Sequence, residues 1–190
     1  MFLITDFIAF LAANLILTQA LGTSTLFIAA GNRKSLVATA SVITIFTTFG
    51  SASAYITDRL LPVKYTDFTL FFYTLAVGIL YVIFLSALFF YSREKFDKAK
   101  KYIHVSAFNC AVMGTLLTIN GRAAADSSLM HLGRYMLSGI EAGLGFIVTA
   151  LILTAAYKRL TSSKVPASFR GFPAMLVYLG IISMAVYALK

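Results

Sequence analysis

The sequence predicts an all-α integral membrane protein with six transmembrane helices. Its 190 residues are 59% hydrophobic and 12% charged, with a mean hydropathy of +0.86. Soluble domains are about 45–50% apolar and about 25% charged. A helix rises about 1.5 Å per residue, so about 20 apolar residues cross a hydrocarbon core of about 30 Å. Apolar runs of this kind occupy residues 7–32, 35–57, 68–92, 102–121, 135–157 and 171–189. The runs are expected to be helices, since a membrane barrel would show alternating segments of about ten residues.

Lysine and arginine predict the orientation of these helices. The loops after the first, third and fifth runs hold eleven of the sixteen Lys and Arg residues. The positive-inside rule makes these loops cytoplasmic and puts both termini outside. The net charge of +9 is then a topology signal, with some attraction to membrane lipid, and needs no nucleic-acid partner.

Three spans in each half predict two inverted repeats, residues 1–99 and 100–190, within one membrane domain. An odd number of spans turns the second half over relative to the first. Ser24 lies nine residues before the first cytoplasmic cations, and Cys110 lies nine residues after the last cation of the second cytoplasmic loop. Both side chains would lie about 13 Å from the cytoplasmic interface, near the bilayer middle. They are candidate symmetry mates.

Polar side chains inside the runs are the candidate site residues. Cys110 is the only cysteine, and a lone buried cysteine packs as a small hydrophobe unless it has a chemical role. Asn109 beside it needs a partner at mid-bilayer, either backbone freed by a helix break or a neighbouring helix. Asn14 in the first run carries the same need.

Glu141 is the second candidate, because a carboxylate inside a membrane span is by default a functional group. One interpretation places it in an ion or proton path, with Arg134 as its partner seven residues earlier on the same helix face. The alternative is that its side chain reaches the outer interface. Gly139 and Gly143 form a small-residue pair on the opposite face, which predicts close helix packing there.

Three motifs resemble the Rnf/Nqr family of membrane subunits, and within it the branch of RnfA and NqrE. They are NCAVMG at residues 109–114, GLGF at 143–146 and VPASFRG at 165–171. The resemblance covers the whole chain. It implies a six-helix subunit of an ion-translocating electron-transfer complex in the prokaryotic inner membrane, with the first and fourth helices broken at mid-membrane. It also implies two kinds of partner: a homologous sister subunit of inverted topology, and other subunits that carry flavin and iron–sulfur centres.

The resemblance also implies a cofactor, since in that family two cysteines from each sister hold a [2Fe–2S] cluster. Cys110 occupies one of these ligand positions, with Asn109 next to it. The first-span motif reads LGTST at residues 21–25, so Ser24 stands at the other cysteine position and Thr25 at a proline position. Clusters of this kind prefer four thiolates, and one thiolate of this chain is therefore missing.

Two functions stay open at this point. The chain is either an electron-carrying subunit of an oxidoreductase that translocates ions, or an inverted-repeat transporter or scaffold subunit that has lost the redox centre. No complete active site is expected within this chain, because it holds no phosphate loop, dinucleotide motif or nucleophile elbow.

Overall fold

A computed structural model describes residues 14–60, 67–91, 93–125 and 131–188 of the chain. These residues form helices joined by turns, and no strand occurs among them. The helices are α1 (Leu15–Gln19), α2 (Thr23–Ala30), α3 (Arg33–Leu60), α4 (Thr69–Tyr91), α5 (Arg93–Ala107), α6 (Cys110–Ala125), α7 (Leu132–Leu160) and α8 (Phe172–Tyr187). The all-α class predicted from the sequence is confirmed for the described residues.

Three of these helices are long and apolar enough to cross a membrane, namely Ser35–Leu60 within α3, α4 and α7. A fourth candidate is the pair Ala99–Ala107 and Cys110–Ala123, from α5 and α6, whose axes bend by 40°. The 16-residue α8 is apolar but shorter. These apolar helices fit a membrane protein, while the number of six spans and the outward termini stay predictions. The first seven residues of the run at 7–32 lie outside the described part.

The charged segment after α4, expected from its composition to be a linker, is helical instead. It forms the first part of α5, so the fourth apolar run is divided between α5 and α6. Phe96, Ala99, Ile103 and Ala107 recur at helical spacing and are the buried or half-buried side of α5. The linker prediction was wrong because the number of charges concealed this amphipathic period.

The close packing of α3 against α7 is the main helix contact of the described residues. A Cβ atom built on Gly139 would lie 2.6 Å from the carbonyl oxygen of Thr47, and one on Gly143 would lie 2.6 Å from Thr44 Cγ2. Hydrogen atoms at both positions let the two backbones approach. The predicted small-residue packing face of α7 is therefore confirmed.

The buried side chains divide into two clusters that meet beside the helix breaks. One cluster is centred on α1, α2, α7 and α8, and the other on α4, α5 and α6, while α3 contributes to both. Ala111, in the first turn of α6, is the residue through which α6 joins the first cluster. The start of α6 therefore lies where the two cores meet.

Candidate functional site

The first break separates α1 from α2. Ala20 and Gly22 both have left-handed backbone conformations, with φ of 56° and 81°. The amide of Ala20 still donates to the carbonyl of Ile16 at 3.0 Å, and the amide of Leu26 donates to the carbonyl of Gly22 at 3.1 Å. The chain thus ends one helix and starts the next within three residues. The predicted break in the first helix is confirmed.

The second break lies at Phe108 and Asn109, between α5 and α6. The side chain of Asn109 caps α6, because its Oδ1 accepts a hydrogen bond from the amide of Ala111 at 2.9 Å. The carbonyl of Asn109 accepts from the amide of Val112 at 3.0 Å. The predicted break in the fourth helix is confirmed, and Asn109 is the residue that satisfies the backbone freed by it.

The two breaks contact each other. The backbone N–H of Gly22 donates to Cys110 Sγ at 3.0 Å, and Asn109 Nδ2 donates to Thr25 Oγ1 at 2.8 Å. A Cβ atom on Gly22 would lie 2.8 Å from the Cβ of Ala111, so a side chain there has no room. The amino ends of α2 and α6 therefore converge beside the cysteine. Free N–H groups and the helix dipole make such ends favourable for negative charge.

Asn14 joins the start of α1 to α7. Its Oδ1 accepts from the amide of Ile16 at 2.9 Å, and its Nδ2 donates to the carbonyl of Gly145 at 2.8 Å and to Thr149 Oγ1 at 2.9 Å. The side chain is buried, with 5% of its surface exposed. Asn14 thus has the interhelical partners that an amide inside a membrane protein requires.

The predicted ligand residues differ in burial. Cys110 and Ser24 are exposed, whereas Asn109 is buried. The structure brings Cys110 and Asn109 together with two residues that the sequence did not single out as site residues, Gly22 and Thr25. A glycine inside an otherwise helical run was the available signal for Gly22. In the described part of the chain, no group of three or more Cys, His, Asp or Glu residues is placed to hold a metal ion.

A second polar cluster joins α3, α4 and α7 through Asp58. Its Oδ1 accepts from the hydroxyl of Tyr73 at 2.5 Å, and its Oδ2 accepts from the hydroxyl of Tyr135 at 2.8 Å. Both tyrosines are fully buried. The sequence placed Asp58 in a polar connection, which was wrong, because the last turn of α3 extends to Leu60 and includes it.

Glu141 lies beside a small pocket between α6 and α7, with a volume of about 130 Å³. Its lining is Ile119, Arg122, Ala123, Arg134, Tyr135, Leu137, Ser138 and Glu141. The predicted partner Arg134 shares this lining, but within the described residues no ion pair joins it to Glu141. Both side chains are exposed. The ion path through Glu141 stays a prediction.

The comparison with known families adds to this geometry. A family model described as "Rnf-Nqr subunit, membrane protein" matches residues 4–190. The chain belongs to the Rnf-Nqr family. The resemblance inferred from the three motifs is thereby confirmed.

Relatives of this Rnf-Nqr chain share one name, which describes each of them as the same lettered component of an ion-translocating oxidoreductase complex. The relative from Azoarcus sp. (strain BH72) is 31% identical over 84 residues, which are 44% of this chain and 40% of the relative. That from Histophilus somni (strain 2336) is 35% identical over 78 residues, 40% of this chain and 37% of the relative. That from Rhodobacter capsulatus is 33% identical over 85 residues, 44% and 40% of the two chains. The chain thus spans about two fifths of the length of the curated relatives it matches.

Proposed function

We propose that this Rnf-Nqr chain is a membrane subunit of an ion-translocating oxidoreductase complex in the prokaryotic inner membrane. It helps to carry electrons across the membrane through an iron–sulfur centre shared with a homologous sister subunit. The observation that supports this most is the exposed thiol of Cys110 at the junction of two helix breaks. The name shared by the relatives supports the assignment to such a complex.

The residues around Cys110 fit one ligand of a shared cluster. The sulfur is exposed, so it is accessible to a group held outside this chain. It accepts the N–H of Gly22, and hydrogen bonds to sulfur are among the factors that set cluster potentials. Cys110 would bind iron, Asn109 would hold Cys110 in place by capping α6, and Ser24 is the second candidate ligand. A [2Fe–2S] cluster bound there would supply one-electron transfer, with its remaining thiolates from the sister.

The proposal includes six spans with both termini outside and two inverted repeats, residues 1–99 and 100–190. Its support is the equivalent use of Asn14 and Asn109. Each Oδ1 accepts the amide two residues later, and each Nδ2 donates to the other half of the chain. This equivalence pairs residues 95 apart, whereas the cation spacing pairs Ser24 with Cys110, 86 apart. Since α5 crosses residue 99, the second repeat would begin at the start of α5.

A second candidate function is a transporter or scaffold subunit that has kept the fold and lost the redox centre. The observation in its favour is the serine at position 24, which leaves this chain a single cysteine. Serine can ligate iron only as an alkoxide, a harder donor than the thiolates that such clusters prefer. The two candidates make opposite predictions for bound iron.

The deciding experiment is iron analysis with low-temperature electron paramagnetic resonance on the purified complex. The comparison is between the unmodified protein, Cys110→Ala, and the control Ser86→Ala at an exposed position of α4. Loss of iron and of one signal in Cys110→Ala alone supports the shared cluster. Electron transfer in an unmodified complex that contains no iron at this site would exclude the cluster and favour the second candidate.

Ser24→Cys tests the vacated ligand position separately. A thiolate restores the softer donor, so iron occupancy should rise or the signal of the cluster should shift. Ser24→Ala is the matched control, because it removes the hydroxyl without adding sulfur. An unchanged signal in Ser24→Cys would place residue 24 too far from the iron to act as a ligand.

A further inference from the structure

The pocket between α6 and α7 has a charge pattern that the proposed redox role does not use. Arg122 lies in the last turn of α6, and Arg134 is the third residue of α7, so both guanidinium groups are at the same end of this helix pair. Glu141 is seven residues beyond Arg134, about 10 Å farther along α7. The lining thus carries two positive charges at one end and one negative charge deeper along the helix, for a net charge of +1.

The size of the pocket limits its occupant. Its volume of about 130 Å³ is well below the range of about 300–1,000 Å³ that is usual for sites of drug-sized ligands and cofactors. At about 30 Å³ per water molecule, the space equals about four waters. A phosphate group is of this size, and arginine binds phosphate through its paired N–H groups.

The position of the pocket points to a lipid as the source of that phosphate. With 29 residues, α7 is about 43 Å long, so a hydrocarbon core of about 30 Å leaves its first turns at headgroup depth. Arg134 is in the first of these turns. Beyond it, Leu137, Ile140 and Leu144 are 47%, 39% and 46% exposed. Their spacing of three and four residues places them on one helix side, where an acyl chain can lie.

We propose that Arg122 and Arg134 bind the phosphate of a membrane phospholipid whose acyl chain lies along Leu137, Ile140 and Leu144. Basic pockets between membrane helices are a known mode of headgroup binding. Glu141 opposes this binding, because its carboxylate repels the phosphate and competes for the same guanidinium groups. The site is separate from the Cys110 junction and does not depend on the proposed redox function.

The test measures the binding of dioleoylphosphatidylglycerol to the delipidated, purified protein in neutral detergent micelles, by native mass spectrometry. Arg122→Gln and Arg134→Gln should each weaken binding about fivefold, the factor expected for about 1 kcal/mol per cation. Glu141→Gln should strengthen it. The control is Arg59→Gln, since Arg59 is outside the pocket and lies over the ring of Tyr55, 5.7 Å from its centre.

The opposite signs expected for Arg134→Gln and Glu141→Gln separate ligand binding from a structural role, which would weaken binding in both variants. Weaker binding in Glu141→Gln, unchanged binding in the Arg122→Gln/Arg134→Gln double variant, or an equal loss in Arg59→Gln would overturn the proposal. Inorganic phosphate is added as a separate probe. Complete displacement of the lipid by millimolar phosphate at constant ionic strength would identify the ligand as a free anion and would also overturn it.

Discussion

The backbone N–H of Gly22 donates a hydrogen bond to Cys110 Sγ at 3.0 Å and so links residues 88 apart in the sequence. Gly22 can do this because its φ of 81° turns the chain between α1 and α2. The thiol is therefore held by the conformation of a break in another helix. Changes in that break should move the cysteine even when Cys110 itself is intact.

Gly22→Ala should destabilise the protein. The new Cβ would lie 2.8 Å from Ala111 Cβ, and alanine at this φ is strained. Left-handed strain of about 1–2 kcal/mol and overpacking of about 1–3 kcal/mol give an expected loss of roughly 2–5 kcal/mol. Thermal unfolding in detergent measures it. The control is Gly180→Ala in α8, where a Cβ meets nothing within 4 Å, so equal losses in both variants would contradict this reasoning.

Asn14→Asp should cost more stability than Asn109→Asp. The Nδ2 of Asn14 donates to the carbonyl of Gly145, which only accepts, so an aspartate places two acceptors together. The Nδ2 of Asn109 instead donates to the hydroxyl of Thr25, which can turn and donate to the new carboxylate.

The lost donor at Asn14 should cost about 1–3 kcal/mol more than the change at Asn109, where the carboxylate also faces two helix amino ends. The free energy of unfolding of each variant, measured under the same detergent conditions, gives the difference. A greater loss in Asn109→Asp would show that the Thr25 hydroxyl cannot adapt.

The helices and the breaks were predictable because both are local properties of the sequence. Apolar run length indicates a span, and an asparagine such as Asn109 inside a run requires a break or a partner. Gly139 and Gly143 likewise predicted close packing, although not that α3 is the partner. The contact of Gly22 with Cys110 and the bridge through Asp58 were missed, because they depend on which helices become neighbours. Helical period does not contain that information.

Tyr73→Phe and Tyr135→Phe should each destabilise the helix bundle. Each removes a hydroxyl donor to the carboxylate of Asp58, and hydrogen bonds to charged groups are worth about 1.5–3 kcal/mol. A double-mutant cycle of Tyr73→Phe with Asp58→Asn should give a coupling energy of about 1 kcal/mol. The control is Tyr91→Phe at the exposed end of α4, with 93% of the residue exposed. Additive losses would mean that the Tyr73 hydroxyl and Asp58 act independently.

Glu141→Gln tests the predicted ion path. A glutamine cannot take up or release a proton, so proton translocation in vesicles should fall if the path runs through this carboxylate, with electron transfer measured separately in uncoupled vesicles. Arg122 and Arg134 line the same pocket, and their charges repel a sodium ion, so the effect should be on protons rather than on sodium. Ser138→Ala is the control in the same lining. Unchanged translocation in Glu141→Gln would leave the carboxylate as a surface group of the pocket, and a loss of sodium transport alone would show that the two arginines do not determine which cation enters.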